Sequence, residues 1–84
     1  MYWTPRALVQ LRALAKRAPV QAAAVHRAVN WLAERGLPEL GRRDPGGKSR
    51  RVWLVPPQEV LYLARDGGLW VLAIRDSRRR LEPW

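Results

Sequence analysis

Apolar residues near the N-terminus recur at the three- and four-residue spacing of amphipathic helices. Thr4 is placed to cap a first helix, and Pro5 suits its first position, where the missing N–H costs nothing. Pro19 disfavours a helical residue before it and ends this helix. A second helix is predicted over residues 21–35, with a buried side of Val25, Ala28, Val29 and Leu32. Two helices joined across residues 18–20 predict a helix-turn-helix, with a plain αα-hairpin as the alternative.

Two short extended segments are predicted after the second helix, over residues 37–41 and 51–55. Residues 44–47, between them, are aspartate, proline and glycine, which are typical of a turn. A proline pair at 56–57 ends the second segment, because proline cannot donate to a strand ladder. The pattern predicts a two-stranded wing. Its tip carries five basic residues: Arg42, Arg43, Lys48, Arg50 and Arg51.

The C-terminal third of the chain allows two interpretations. Residues 58–65 fit either a short helix or the first strand of a β-hairpin. Residues 69–74 are typical of a buried strand in both cases. Residues 75–84 form a polar turn, a basic run and a tail, which are more typical of a solvated end than of a specific site.

The length of 84 residues predicts one domain over residues 1–84. Residues 3–57 would form the helix-turn-helix and wing, and residues 58–84 an extension for dimerisation or packing. The expected fold class is α+β, a small winged helix-turn-helix with two N-terminal helices, a two-stranded wing and a C-terminal helix or β-hairpin.

The net charge of +9 indicates a polyanionic partner for so small a domain. Only Lys16 and Lys48 are lysine among the sixteen basic residues. Arginine suits bidentate contacts with phosphate or with the guanine edge. An arginine-rich codon bias is the alternative explanation for the scattered arginines, and it explains the cluster at the wing tip less well.

The composition argues against several other classes of protein. The chain has no cysteine and one histidine, so neither a disulfide framework nor a metal site is expected, and no cofactor is predicted. No serine has a base placed to activate it, so we expect no enzyme activity. No apolar run approaches a membrane span and the first residues lack a secretion signal. A cytoplasmic, nucleoid-associated protein is therefore expected.

Three segments, namely Thr4-Pro5, residues 30–38 and residues 50–60, together resemble the excisionase and MerR-type winged helix family. Thr4-Pro5 matches the start of the first helix in that family. The sequence NWLAERGLP at residues 30–38 resembles the end of its recognition helix, and RRVWLVPPQEV at residues 50–60 resembles its return strand and following helix. The likeness covers about residues 3–65, and it favours the helix for residues 58–65.

The predicted DNA-binding residues divide into two groups. On a helix in the major groove, four side chains would reach base edges: Gln21, His26, Arg27 and Asn30. Arg27 has the strongest claim, since an isolated exposed histidine or asparagine is commonly an ordinary surface residue. The five basic wing residues would contact phosphate or a narrow minor groove, which positions the protein without reading much sequence.

The expected function is sequence-specific binding of double-stranded DNA, as a small transcription regulator or an excisionase-type recombination directionality factor. A homodimer or a cooperative array on DNA is compatible with this role. The alternative is a winged-helix protein-interaction module in a nucleoprotein complex, with a protein partner bound through residues 58–84. RNA binding is a third hypothesis.

Overall fold

The computed structural model describes residues 1–35, 40–44, 49–65, 68–79 and 84. Its strands form one mixed five-stranded sheet in the order β1-β5-β4-β3-β2, in which β1 runs parallel to β5 and the other pairs are antiparallel. The chain is therefore α+β, as predicted. Its elements in order are β1 (Tyr2–Trp3), α1 (Pro5–Arg17), α2 (Pro19–Arg35), β2 (Arg42–Arg43), β3 (Arg50–Val55), β4 (Gln58–Arg65), β5 (Gly68–Asp76) and a final 3-10 turn (Ser77–Arg79).

The two N-terminal helices confirm the prediction made from capping and spacing. The Thr4 hydroxyl accepts a hydrogen bond from the Ala7 N–H at 3.1 Å, and Pro5 begins α1. Ala18 ends α1, and its N–H donates to the Leu14 carbonyl at 2.7 Å. The second helix begins at Pro19, two residues earlier than predicted, because proline is well suited to a first helical position.

Both helices pack on one face of the sheet. Val25, Val29 and Leu32 of α2 are buried as predicted, whereas Ala28 is half-buried. They join one apolar core with strand residues that alternate along each strand, except where a bulge at Leu72 of β5 places both Val71 and Ile74 on this face. The strand residues of this core are Val60, Tyr62, Leu69, Val71 and Ile74.

The opposite face of the sheet, called here the outer face, has a small apolar cluster of its own. Val52, Leu61 and Ala73 are directly paired across three neighbouring strands and are buried. No residue of either helix belongs to this cluster among the described residues, whereas the half-buried Leu72 and Trp84 pack against it. The fold therefore has two layers, one of helices and one of strands.

Residues 58–65 form a strand, so the helix that the family resemblance favoured there is wrong and the β-hairpin alternative is right. Gln58–Arg65 is the fourth strand, and it pairs with β3 on one side and with β5 on the other. Residues 58–62 of this strand are all buried, and they comprise the polar Gln58 and Glu59 followed by the apolar run that begins at Val60. A continuous apolar run does not distinguish such a strand from a buried helix, which explains the error.

The two-stranded wing is also corrected. Its predicted return strand, β3, is paired along its whole length with β4, from Arg50 opposite Leu63 to Val55 opposite Gln58. Residues 37–39 of the predicted strand over 37–41 lie outside the described part of the chain, Leu40 and Gly41 are not in a strand, and the described strand there is Arg42–Arg43. The ribbon is thus the edge of a five-stranded sheet, because β3 is held by ladder bonds on its inner side.

The edge of β5 beyond β1 is covered by side chains of the first helix. The Thr4 hydroxyl donates to the Leu72 carbonyl at 2.9 Å, and the Gln10 Oε1 accepts from the Ile74 N–H at 2.6 Å. These bonds satisfy backbone groups that an edge strand otherwise leaves unpaired. They also fix α1 beside the C-terminal end of β5, which positions the site described next.

Candidate nucleic-acid interface

The four predicted base-reading residues do not form one surface. His26 and Arg27 are exposed, and Gln21 and Asn30 are half-buried. Gln21 and Asn30 are nine positions apart, which is about two and a half turns at 3.6 residues per turn, so they lie on opposite sides of α2. A single groove cannot receive both side chains. Of the four, His26, Arg27 and Asn30 remain as neighbours.

His26 and Asn30 are engaged with their surroundings. Their side chains are joined by a 3.2 Å hydrogen bond between the Asn30 Nδ2 and the His26 Nδ1. The His26 ring also stacks on Trp3, with centroids 6.2 Å apart and planes inclined by 17°. Arg27 is exposed on the same side of α2, and its role as a base-reading residue stays a prediction.

Three of the five predicted wing residues bond to groups of the same chain. Arg42 pairs with Glu59 at 2.7 Å, and Arg50 pairs with Asp44 at 2.7 Å. Arg51 donates to the Gly41 carbonyl at 2.9 Å. Arg43 is exposed, and Lys48 lies outside the described residues. These internal bonds weaken the prediction that the wing arginines contact phosphate together.

Acidic residues neutralise less of the positive charge in the helical layer than in the sheet. Three of the four acidic residues in the described part of the chain, Asp44, Glu59 and Asp76, form ion pairs with arginines of the sheet and the turn after it. The fourth, Glu34, is the one acidic residue of the helices. Against it the helices carry six basic residues: Arg6, Arg12, Lys16, Arg17, Arg27 and Arg35.

Among the described residues, four arginines line an open cleft of about 640 Å³. Arg17 comes from the end of α1, Arg75 from the end of β5, and Arg78 and Arg79 from the turn that follows. Asp76 is the one carboxylate that lines this basic cleft among the described residues. The remaining lining residues are Gln10, Ala13, Ile74 and Trp84.

Asp76 holds the turn at the mouth of the basic cleft. Its carboxylate accepts from the Arg78 backbone N–H at 2.9 Å and from the Arg78 Nε and Nη2 at 2.9 and 2.6 Å. These hydrogen bonds, together with the positive charges of Arg78 and Arg79, hold the pKa of Asp76 well below its usual range. The same carboxylate raises the pKa of Arg78, which therefore stays charged.

Arg75 and Trp84 form the inner wall of the cleft. The Arg75 guanidinium lies 3.8 Å from the centroid of the Trp84 ring, a cation–π contact, and its Nε donates to Glu59 at 3.2 Å. The Trp84 carbonyl accepts from the Gln10 Nε2 at 3.4 Å. These contacts link the last residue of the chain to α1 and to the outer face.

The sequence interpretation missed this cleft because its arginines come from three separate segments. The basic run within residues 75–84 is typical of a solvated end, and nothing in the sequence connects it with Arg17 of the first helix. The available signal was the basic cluster directly after a buried strand. Its juxtaposition with Arg17 follows from the docking of α1 on β5, through Gln10 and Ile74, 64 positions apart.

Two tryptophans stack between the helical layer and the sheet. The ring centroids of Trp31 in α2 and Trp53 in β3 lie 6.2 Å apart. Arg35 lies over the Trp31 ring at 5.5 Å. Trp53 joins the main core, whereas Trp31 is 40% exposed. Both therefore contribute to packing.

In the described part of the chain, no three histidine, cysteine or acidic residues lie close enough to bind a metal ion, and neither helix is long and apolar enough to cross a membrane. In comparisons with known proteins, no family model and no curated sequence matches the chain.

Proposed function

We propose that this protein binds nucleic acid and that the basic cleft holds a stretch of the phosphodiester backbone. The observation that carries the proposal is the convergence of Arg17, Arg75, Arg78 and Arg79 around Asp76, the one carboxylate in the described lining of the cleft. Arginine binds phosphate through charge-assisted, often bidentate hydrogen bonds. The net charge of +9 supports the same class of ligand, because it attracts polyanions over distance.

Duplex DNA remains the first ligand to test. Backbone contacts position a protein without reading sequence, so specific recognition would need α2. Arg27, with Asn30 beside it, supports such a role, and Gln21 on the far side of the helix does not. Arg43 and Lys48 remain candidates for phosphate contacts near the β2–β3 connection. The roles of transcription regulator and excisionase-type factor depend on this ligand and stay proposals.

Single-stranded RNA is a second candidate, favoured by the outer face of the sheet. The rings of Tyr2 and Trp70 lie 4.5 Å apart there, and Tyr2 is 45% exposed. Arg50 and Arg75 lie on the same face, to judge from the register of the strands. Several RNA-binding modules stack unpaired bases on aromatic side chains of an open sheet.

The other partner hypotheses have less support. Within the predicted association segment at residues 58–84, seven apolar residues of β4 and β5 are buried by the internal packing of the protein. Binding of a second copy or of a protein partner through residues 58–84 stays a proposal. The expected lack of enzyme activity and the nucleoid location also stay predictions.

Fluorescence anisotropy with labelled duplex DNA, single-stranded DNA, single-stranded RNA and hairpin RNA tests the proposal. Two triple variants with the same net charge are compared: R17Q/R78Q/R79Q in the basic cleft, and R6Q/R12Q/K16Q on the exposed side of α1. We expect the cleft variant to bind about 100-fold more weakly, since three charged contacts are lost, and the α1 variant to change several-fold at most.

The dependence on salt supplies an independent measure. Four phosphate contacts give a slope of log K against log salt of about −3 to −4, and removal of three contacts reduces it to about −1. Failure of the wild-type protein to bind any of the four ligands at low salt would refute the proposal. Equal losses in the two triple variants would refute the assignment to the cleft. The preferred ligand decides between duplex DNA and single-stranded RNA.

A further inference from the structure

Glu59 is a fully buried carboxylate in the middle of the sheet. It lies on β4, and its side chain is on the outer face, opposite Leu54 on one side and Arg75 on the other. Its relative exposure is 0%, although no described helix covers that face. Burial of a carboxylate is costly unless it is paired, so the partners of Glu59 explain how the sheet tolerates it.

Its two oxygens bond to two arginines from different strands. The Oε2 accepts from the Arg42 Nη2 at 2.7 Å, and the Oε1 accepts from the Arg75 Nε at 3.2 Å. The Arg42 side chain is 52% exposed, whereas the Arg75 side chain is 17% exposed. Glu59 therefore joins the β2 edge of the sheet to the inner wall of the basic cleft.

Arg75 is held from two directions. Its Nε is bonded to Glu59, and its guanidinium carbon lies 3.8 Å from the centroid of the Trp84 ring. An arginine side chain has several rotatable bonds, and fixing them before a ligand arrives reduces the entropy lost on binding. A fixed Arg75 is thus a stronger phosphate ligand than a mobile one.

We infer that Glu59 is a positioning residue, which sets the guanidinium of Arg75 for phosphate in the basic cleft. This inference rests on the proposed function. Stability alone explains the residue poorly, since a buried ion pair contributes little compared with well-packed apolar side chains, such as those of Val52, Leu61 and Ala73 in the next row of the outer face.

The sign of one mutational effect separates positioning from simple electrostatics. Glu59→Gln raises the net charge from +9 to +10. If Glu59 acted only through its charge, the variant would bind nucleic acid more tightly, because repulsion of the phosphates is removed. If Glu59 positions Arg75, the variant binds about tenfold more weakly despite its higher charge, as expected from the loss of one well-placed charged hydrogen bond.

The matched control is Asp44→Asn, which makes the same change in charge and breaks the ion pair with Arg50 away from the cleft. We expect this variant to bind as tightly as the wild type or more tightly. Glu59→Asp keeps the charge and shortens the side chain by one methylene, so it also weakens binding if position matters. Glu59→Gln binding as tightly as Asp44→Asn would overturn the inference.

NMR of the arginine Nε–H groups gives a test that needs no variant to fold. In the free wild-type protein, the Arg75 Nε–H signal should be protected from exchange with water and should stay protected when the preferred nucleic acid is added. Loss of that protection on binding would mean that Arg75 leaves Glu59, which contradicts positioning. If no nucleic acid binds, the proposed function fails, while protection in the free protein still reports whether Glu59 holds Arg75.

Discussion

The backbone N–H of Gly41 donates a 2.9 Å hydrogen bond to the hydroxyl of Tyr62, a buried residue of the central strand 21 positions later. Arg51 donates to the Gly41 carbonyl at 2.9 Å, so both backbone polar groups of Gly41 are bonded. A Cβ on Gly41 would overlap the Tyr62 hydroxyl oxygen and would lie 2.9 Å from the Val52 carbonyl oxygen. The segment before β2 thus approaches the sheet so closely that only glycine fits.

Gly41→Ala is expected to destabilise the protein by about 2–4 kcal/mol, from overpacking and a disturbed buried hydrogen bond. Gly68→Ala is the matched control, because a Cβ there would meet the Arg65 carbonyl oxygen at 3.5 Å, an ordinary contact distance. Urea unfolding of both variants measures the difference. Equal stability of the two variants would show that the close approach of Gly41 to Tyr62 is wrong.

Tyr62 should ionise above the ordinary tyrosine value of 10.0, because burial raises the pKa of its hydroxyl more than the bond to Gly41 and the charge of Arg51 lower it. A group whose pKa is raised by folding contributes stability that is complete below its unfolded pKa and is lost as the pH rises through its folded pKa. The free energy of unfolding should therefore fall above pH 10.

Ultraviolet difference absorbance of tyrosinate follows this titration directly. The absorbance change from ionisation of Tyr62, at a pH above that of an ordinary tyrosine, should coincide with the alkaline loss of stability. It should be missing in Tyr62→Phe. That variant should itself lose about 1–3 kcal/mol, since it leaves the buried Gly41 N–H without its acceptor. A Tyr62 that ionises at or below 10.0 in the folded protein would contradict the burial of its hydroxyl.

Thr4 joins a helix cap to a sheet edge through one hydroxyl, which accepts from Ala7 at 3.1 Å and donates to Leu72 at 2.9 Å. Thr4→Ala should cost about 1–2 kcal/mol from the cap alone and more from the lost bond to β5. Thr4→Ser keeps the hydroxyl and should restore most of the stability. Thermal unfolding of the two variants gives the comparison, and an unchanged melting temperature for Thr4→Ala would disprove the double role.

Asp76 should titrate below the ordinary aspartate value of 3.8, because the side chain and backbone N–H of Arg78 bond to its carboxylate. The pKa of Asp76 is thus lowered by folding, whereas that of Tyr62 is raised. A lowered pKa contributes stability above pH 3.8, and this is lost as the pH falls through the folded value. Carboxyl carbon NMR measures the titration, and Arg78→Ala should return the pKa of Asp76 towards its ordinary value. An ordinary pKa in the wild-type protein would argue against the Asp76–Arg78 pair.

Local signals predicted the helices well, and nonlocal pairing explains most of the rest. Thr4, Pro5 and Pro19 act on their own turns, so their effect is legible in the sequence. The pairing of β4 on both sides cannot be predicted from local signals, because it depends on strands that come before and after it in the chain. The outcome there followed the hairpin alternative, while the family resemblance favoured a helix.

The same limit applies to the candidate site. A cluster of arginines is visible in the sequence, but its partners are not. Arg42 pairs with Glu59 seventeen positions away, and Arg75 with the same carboxylate sixteen positions away. Glu59 thus pairs with one arginine of the predicted wing, Arg42, whereas Arg17 reaches the cleft because α1 docks on β5.

The pairing of β1 with β5 has a consequence for the way the chain folds. Thr4 and Leu72, which are bonded to each other, are 68 positions apart in a chain of 84 residues. During synthesis the two helices leave the ribosome before the strands on which their apolar surfaces pack. In the same way, β1 has no pairing partner until β5 has been synthesised. Contacts so distant in sequence slow folding, and a nascent chain released before residue 76 lacks the strand that holds its beginning in place.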